Sequence, residues 1–100
     1  MAQVQAPDLD LICWTRKQYG LKPAAALAAL NIYGYLQDLA VNQDIHQFNQ
    51  TEYARVTGLS RTTLRNYLNI LESMNFAEFT GSRDFTRFSL KQIPFLQEVA

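Results

Sequence analysis

Arg61, Arg65 and Asn69 recur at four-residue intervals, with Ser60, Thr62 and Asn66 filling the positions around them. At helical spacing the first three share one face, opposite Leu64 and Leu71. Arginine offers a planar fork that can grip two acceptors at once, and asparagine an amide that donates and accepts side by side. Between Arg55 and Leu71 there are three arginines and no acid, while Glu52 and Glu72 bracket the stretch. A face of this kind suits a partner rich in negative charge or in hydrogen-bonding edges.

Little else in the chain could carry chemistry. There is one histidine, His46, and one cysteine, Cys13. A thiolate zinc site or an intrachain disulfide needs more cysteines, and a Ser-His-Asp triad is hard to assemble around a solitary His46. No glycine-rich phosphate loop, paired carboxylates or nucleophile with an evident base is present. The expectation is a protein that is not an enzyme and uses no cofactor or metal. His46 reads as a loop or surface residue. Cys13 and Trp14 read as a buried cysteine and a core or interface tryptophan rather than as a sensor. Asn49-Gln50-Thr51 matches a glycosylation sequon by chance.

Composition sets the remaining bounds. The chain has 100 residues, 48% of them hydrophobic, and nine basic residues balance nine acidic ones. That is one domain with a small core. With zero net charge, an anionic partner cannot be held by bulk charge, so contact must come from local clustering. The opening MAQVQAPDLD lacks a basic segment followed by an apolar one, and the apolar stretch Pro23–Leu36 is too short to span a bilayer. A cytoplasmic protein with no membrane contact is expected.

The elements that must position the polar face follow from periodicity and caps. Residues 1–7 read as a disordered lead-in to a single domain over 8–100. Asp8 is placed to cap a helix to about Tyr19, with Gly20 past its end. Its apolar residues lie on two sides, Leu9, Ile12 and Cys13 against Leu11 and Trp14. Pro23 opens a second helix to about Val41, in which Ala25, Ala29, Ile32, Leu36 and Leu39 repeat at helical spacing beside a thin polar stripe. This is the central helix, packed on more than one side. After a short connection (Asn42 to Phe48), Asn49 caps a helix from Gln50 to about Thr57. Gly58 interrupts, and Ser60 caps a longer helix ending near Asn75. The period then changes to alternation at Ala77–Thr80 and Phe85–Leu90 around a turn at Gly81–Asp84. Closed over that turn, the hairpin sets Glu78 opposite Arg87 and Ala77 opposite Phe88. Lys91 to Ala100 reads as a short helical tail with Pro94 near its start.

The segment Gln50–Leu68 resembles a helix-turn-helix. Ala54 is small where two helices would cross, Gly58 supplies a positive φ for the turn, Leu59 plugs the corner, and Leu64 and Tyr67 bury the second helix. With a preceding helix and a following hairpin, the segment from about Pro23 to Leu90 resembles the winged helix-turn-helix DNA-binding family, over roughly two thirds of the chain. The fold class is thus mainly α with a small β-hairpin wing (helix-turn-helix 50–75, wing 76–90), plus an extra N-terminal helix and a short C-terminal helix.

The resemblance implies that the helix from Ser60 enters the major groove of double-stranded DNA, with Ser60, Arg61, Thr62, Arg65, Asn66 and Asn69 at the contact and Arg83 at the wing tip beside the backbone or minor groove. Arg can pair with guanine O6 and N7, and Asn with adenine N6 and N7. Ser60 and Thr62, near the helix N-terminus, can hold a phosphate. Arg87 is the poorer candidate, because Glu78 would compete for its charge. The first expectation is a homodimeric transcriptional regulator, its dimer formed by Leu9, Leu11, Ile12 and Trp14 with Ile93, Phe95, Leu96 and Val99 of the tail. A plasmid or phage partition or replication protein would share the same contacts. A winged helix used only for protein–protein interaction is the alternative of a different class.

Overall fold

The computed structural model of the chain describes residues 9–94. Four helices, α1 (Leu9–Tyr19), α2 (Pro23–Asn42), α3 (Gln50–Thr57) and α4 (Arg61–Ser73), are joined by three short strands, β1 (Gln47–Phe48), β2 (Ala77–Gly81) and β3 (Thr86–Leu90). The strands form one antiparallel sheet in the order β1-β3-β2. This is a mainly helical, winged-helix-like α+β fold. No helix among the described residues is long and apolar enough to cross a membrane. The Asp8 cap, the lead-in and the tail residues Phe95, Leu96 and Val99 lie outside the described residues.

Helix α2 is the wall on which the fold is built. Pro23 occupies its first turn, and Lys22 before it is extended, as a residue preceding proline must be. Ala26, Ala29, Leu30, Ile32, Tyr33, Leu36 and Leu39 are all buried, so the helix is covered on several sides by α1, α4 and β3. Helix α1 ends at Gly20, whose φ of 66° is left-handed and whose N–H donates to the Arg16 carbonyl at 2.8 Å. Its two apolar sides are buried unequally, and on the Leu9 side Ile12 still packs partly buried against the core. Leu11 and Thr15 are buried and Trp14 partly so, while Leu9 is 83% exposed. Cys13 is exposed as well, contrary to the expected burial, because it lies on the Leu9 side.

The corner between α4 and β2 is set by a left-handed cap. Asn75 has φ 62°, its N–H donates to Glu72, and the Phe76 N–H donates to Leu71 at 2.9 Å. Phe76 is thereby delivered fully buried beside Leu71. Tyr19 and Tyr33 meet its ring edge-on at 5.5 and 6.2 Å. The Tyr33 hydroxyl donates to the Lys91 carbonyl at 2.7 Å, and burial pushes its phenol above the ordinary tyrosine range. Ile93 is also fully buried, so it belongs to the core and not to a leftover surface.

Two features of the sheet differ from the sequence expectation. Strand β1 falls in what reads as connection; it is two residues long, too short for alternation to register, yet Phe48 is buried and packs edge-on to Phe79 and Phe88. The hairpin register also moves. Gly81 stays in the ladder opposite Thr86, so Ala77 faces Leu90, Glu78 faces Ser89, and Thr80 faces Arg87. The turn closes instead between Ser82 and Phe85, with the Phe85 N–H donating to Ser82 at 3.2 Å. Because the displacement is by an even number of residues, every side chain keeps its expected face. Thr86 and Phe88 are buried, while Arg87 and Ser89 are exposed. Glu78 pairs with Lys91 at 2.9 Å rather than with Arg87.

Gly58 and Gly81 both hold positive φ, at 76° and 91°, but only at Gly81 would a Cβ collide with backbone, 2.6 Å from the Phe85 carbonyl oxygen. Gly58→Ala should therefore cost about 1–2 kcal/mol for the left-handed conformation alone. Gly81→Ala should cost more in urea unfolding, since the turn must also shift. Equal losses would show that the turn yields freely.

Candidate nucleic-acid interface

The rotation of α4 follows from its apolar positions. Leu64, Leu68 and Leu71 are buried, which turns Arg61, Thr62, Arg65, Asn66 and Asn69 outward, and all five are exposed. The helix start is fixed by Ser60. Its Oγ accepts the Thr63 N–H at 3.1 Å and its hydroxyl donates to the Thr63 Oγ1 at 2.8 Å. Ser60 is thus committed as a cap, and the phosphate-holding role expected of its hydroxyl would have to displace that bond. Helix α3 begins in the same manner, Asn49 accepting the Glu52 N–H at 3.0 Å, and ends at Gly58.

The wing turn is tied to the start of α3. The first N–H groups of a helix have no intrahelical acceptor, and that of Gln50 donates to the Arg83 carbonyl at 2.9 Å. The Gln50 side-chain amide donates to Thr86 Oγ1 at 2.9 Å, and the buried Thr86 hydroxyl donates in turn to the Ser82 carbonyl at 2.9 Å. Thr51 donates to the Asp84 carboxylate at 3.2 Å. Residues more than thirty positions apart are thereby held together, and Arg83 is brought alongside α4.

Two concavities result. A cleft of about 290 Å³ runs between α4 and the wing, lined by Arg65, Asn69, Thr80 and Arg83 among others, with Glu72 toward β2. A smaller one of about 90 Å³ is lined by Gln50, Arg61, Thr62, Arg65 and Arg83. The structure therefore brings Arg61, Thr62, Arg65 and Arg83 together, and Asn69 joins Arg65 and Arg83 in the larger cleft. Asn66 lines neither and stands on the open face of α4, while Ser60 sits at the helix start. Gln50 is the residue that sequence reading missed. Its position directly after the Asn49 cap was visible, but its acceptor lies in the wing.

The charges separate cleanly. Arg61, Arg65 and Arg83 form no ion pair among the described residues, whose ion pairs are His46–Asp44, Arg55–Glu52 and Lys91–Glu78. The expected competition between Glu78 and Arg87 is absent, and Arg87 stands on the outer face of β3 near Asp44 and His46. Arg55 covers its own helix: its Nε donates to Glu52 at 3.2 Å, and a second guanidinium nitrogen donates to the other carboxylate oxygen. That hydrogen bond, and then the arginine's charge, hold the Glu52 carboxyl below the usual glutamate range.

No family profile, curated protein or solved structure matches the chain. The topology itself, helices followed by a small antiparallel sheet, is winged-helix-like.

A carboxyl held low in the folded state contributes stability that is present above the ordinary glutamate range and is lost as pH falls through the folded value. Arg55→Gln should raise the Glu52 titration midpoint toward the ordinary value in an NMR titration. The stability difference between wild type and variant should close as pH falls below both midpoints. An unmoved midpoint would show that the pair is not formed in solution.

Proposed function

We propose that the chain binds double-stranded DNA with sequence preference, as a homodimeric cytoplasmic transcriptional regulator that lays α4 in the major groove and its wing along the backbone. The observation that carries this reading is the exposed row of Arg61, Arg65 and Asn69 beside Arg83, in which the three arginines have no carboxylate partner among the described residues. Arg65, Asn66 and Asn69 carry the forked and amide groups that match base edges, and helices of winged-helix proteins meet DNA through this part of the element. Local clustering supplies the attraction that zero net charge withholds.

The proposed dimer draws on a smaller surface than composition suggests, because Leu11 and Ile93 are buried within the protomer. What supports it is the outward side of α1, where Leu9 is almost wholly exposed. Two-fold symmetry would place the recognition helices about 34 Å apart and imply a palindromic site.

The test is binding to random and genomic fragments across a salt series, wild type against Arg65→Ala. Neutralising on the order of 4–8 phosphates per dimer predicts a log–log salt slope of about −4 to −7. Loss of a base contact should cost about 1–3 kcal/mol and relax the preference. Uniform weakening with the preference intact would make Arg65 a backbone contact. Absence of binding at low salt would overturn the reading and leave the same face to a protein partner.

A further inference from the structure

The small concavity where α4, the wing and the start of α3 meet has a lining unlike the rest of the surface. Arg61, Arg65 and Arg83 come from two separate elements, yet they converge on a space of about 90 Å³ with Thr62 and Gln50 and no carboxylate among its lining residues. Guanidinium groups stay charged at any physiological pH, so the folded chain holds three like charges around one opening. The nearest acid in sequence, Asp84, accepts a hydrogen bond from Thr51 and does not line the space. The turn that carries Arg83 is fastened by the Gln50 N–H and by Thr86, so its position is built rather than borrowed from a swinging loop. Ser60 caps only the Thr63 N–H, which leaves the first-turn amides of Arg61 and Thr62 without intrahelical acceptors at the positive end of a helix of 13 residues.

We infer that this concavity is a preformed oxyanion site for one tetrahedral phosphoryl group per protomer. The concavity, of about 90 Å³, is open to solvent and has room for a phosphoryl group. Arginine forks match phosphate oxygens in pairs, and the Thr62 hydroxyl adds a neutral donor. The assignment divides the polar face. Arg61 and Arg83 hold the phosphate, Arg65 lies at the junction with the larger cleft, and Asn66 and Asn69 are left to base edges. Arg61 thereby moves from the base-reading role that the family resemblance implies to a positioning one. That the phosphoryl group belongs to a DNA backbone rests on the function proposed above; the site itself requires only the phosphate chemistry.

The experiment follows backbone amide shifts and thermal unfolding of the full chain as inorganic phosphate is added, against sodium chloride at matched ionic strength. Wild type is compared with Arg61→Gln, Arg83→Gln, and Arg87→Gln as a control outside the concavity. Expected are saturable shifts centred on Gln50, Arg61, Thr62 and Arg83, and a folded-to-unfolded ratio raised about tenfold at ten times the dissociation constant. Both should be lost in the Arg61 and Arg83 variants and kept in the Arg87 variant. Absence of saturation, or equal saturation in the Arg61 and Arg83 variants, overturns the site. A DNA duplex added last distinguishes the sources. Displacement of the phosphate assigns the site to the backbone. Phosphate binding that DNA leaves undisturbed keeps the site, removes its DNA role and makes a free phosphoryl compound the ligand. DNA binding without phosphate saturation would remove the site and leave the DNA reading standing.

Discussion

The burial of Leu64, Leu68 and Leu71 against the interior decides the orientation of everything on α4. A helix has a single rotational freedom about its axis, and three leucines at spacings of three and four remove it. With those positions buried, Arg61, Arg65 and Asn69 have nowhere to project but outward. The Ser60 cap and the left-handed Asn75 then fix where the helix starts and stops, so its rotation and its extent are set by different residues. Helix α2 supplies the wall on which α4 packs, and Ala26, Ala29 and Gly34 are among its buried residues.

The wing depends on a different kind of constraint. A two-stranded hairpin of five-residue strands is marginal by itself. Here β1 pairs along β3, Phe48 packs on the rings of Phe79 and Phe88, and the turn hands its Arg83 carbonyl to a helix-terminal N–H that would otherwise lack an acceptor. One backbone group in the turn and one at the start of α3 thus satisfy each other. The arrangement that fastens the turn is also the one that sets its cation beside α4.

What could be read from sequence was whatever is decided within a few residues. Asn49, Gly58, Ser60 and Asn75 act on neighbours, and each stands in the structure as local chemistry requires. Alternation in Phe85–Leu90 placed the buried and exposed faces correctly. The register was a harder matter, because Gly81 can equally end a strand or continue it at positive φ, and the choice falls to contacts from Phe85 and Thr86. Strand β1 is too short to show a period, and the Gln50–Arg83 bond joins segments whose meeting no local pattern encodes. The two apolar sides of α1 look equivalent on paper, and only packing shows that Leu11 and Thr15 are fully buried while Leu9 and Cys13 stay exposed. The polar row of α4 was therefore legible, while the concavity it shares with the wing was not.

The aromatic chain at the other end of the core has a consequence of its own. Trp14, the sole tryptophan, meets Tyr19 edge-on at 6.0 Å, and Tyr19 meets Phe76, the residue that turns α4 into β2. The molecule thus carries a single indole, half-shielded on α1 and linked by ring contacts to the corner at the end of α4. Its emission reads the seating of α1 on that corner, with no label and no competing indole.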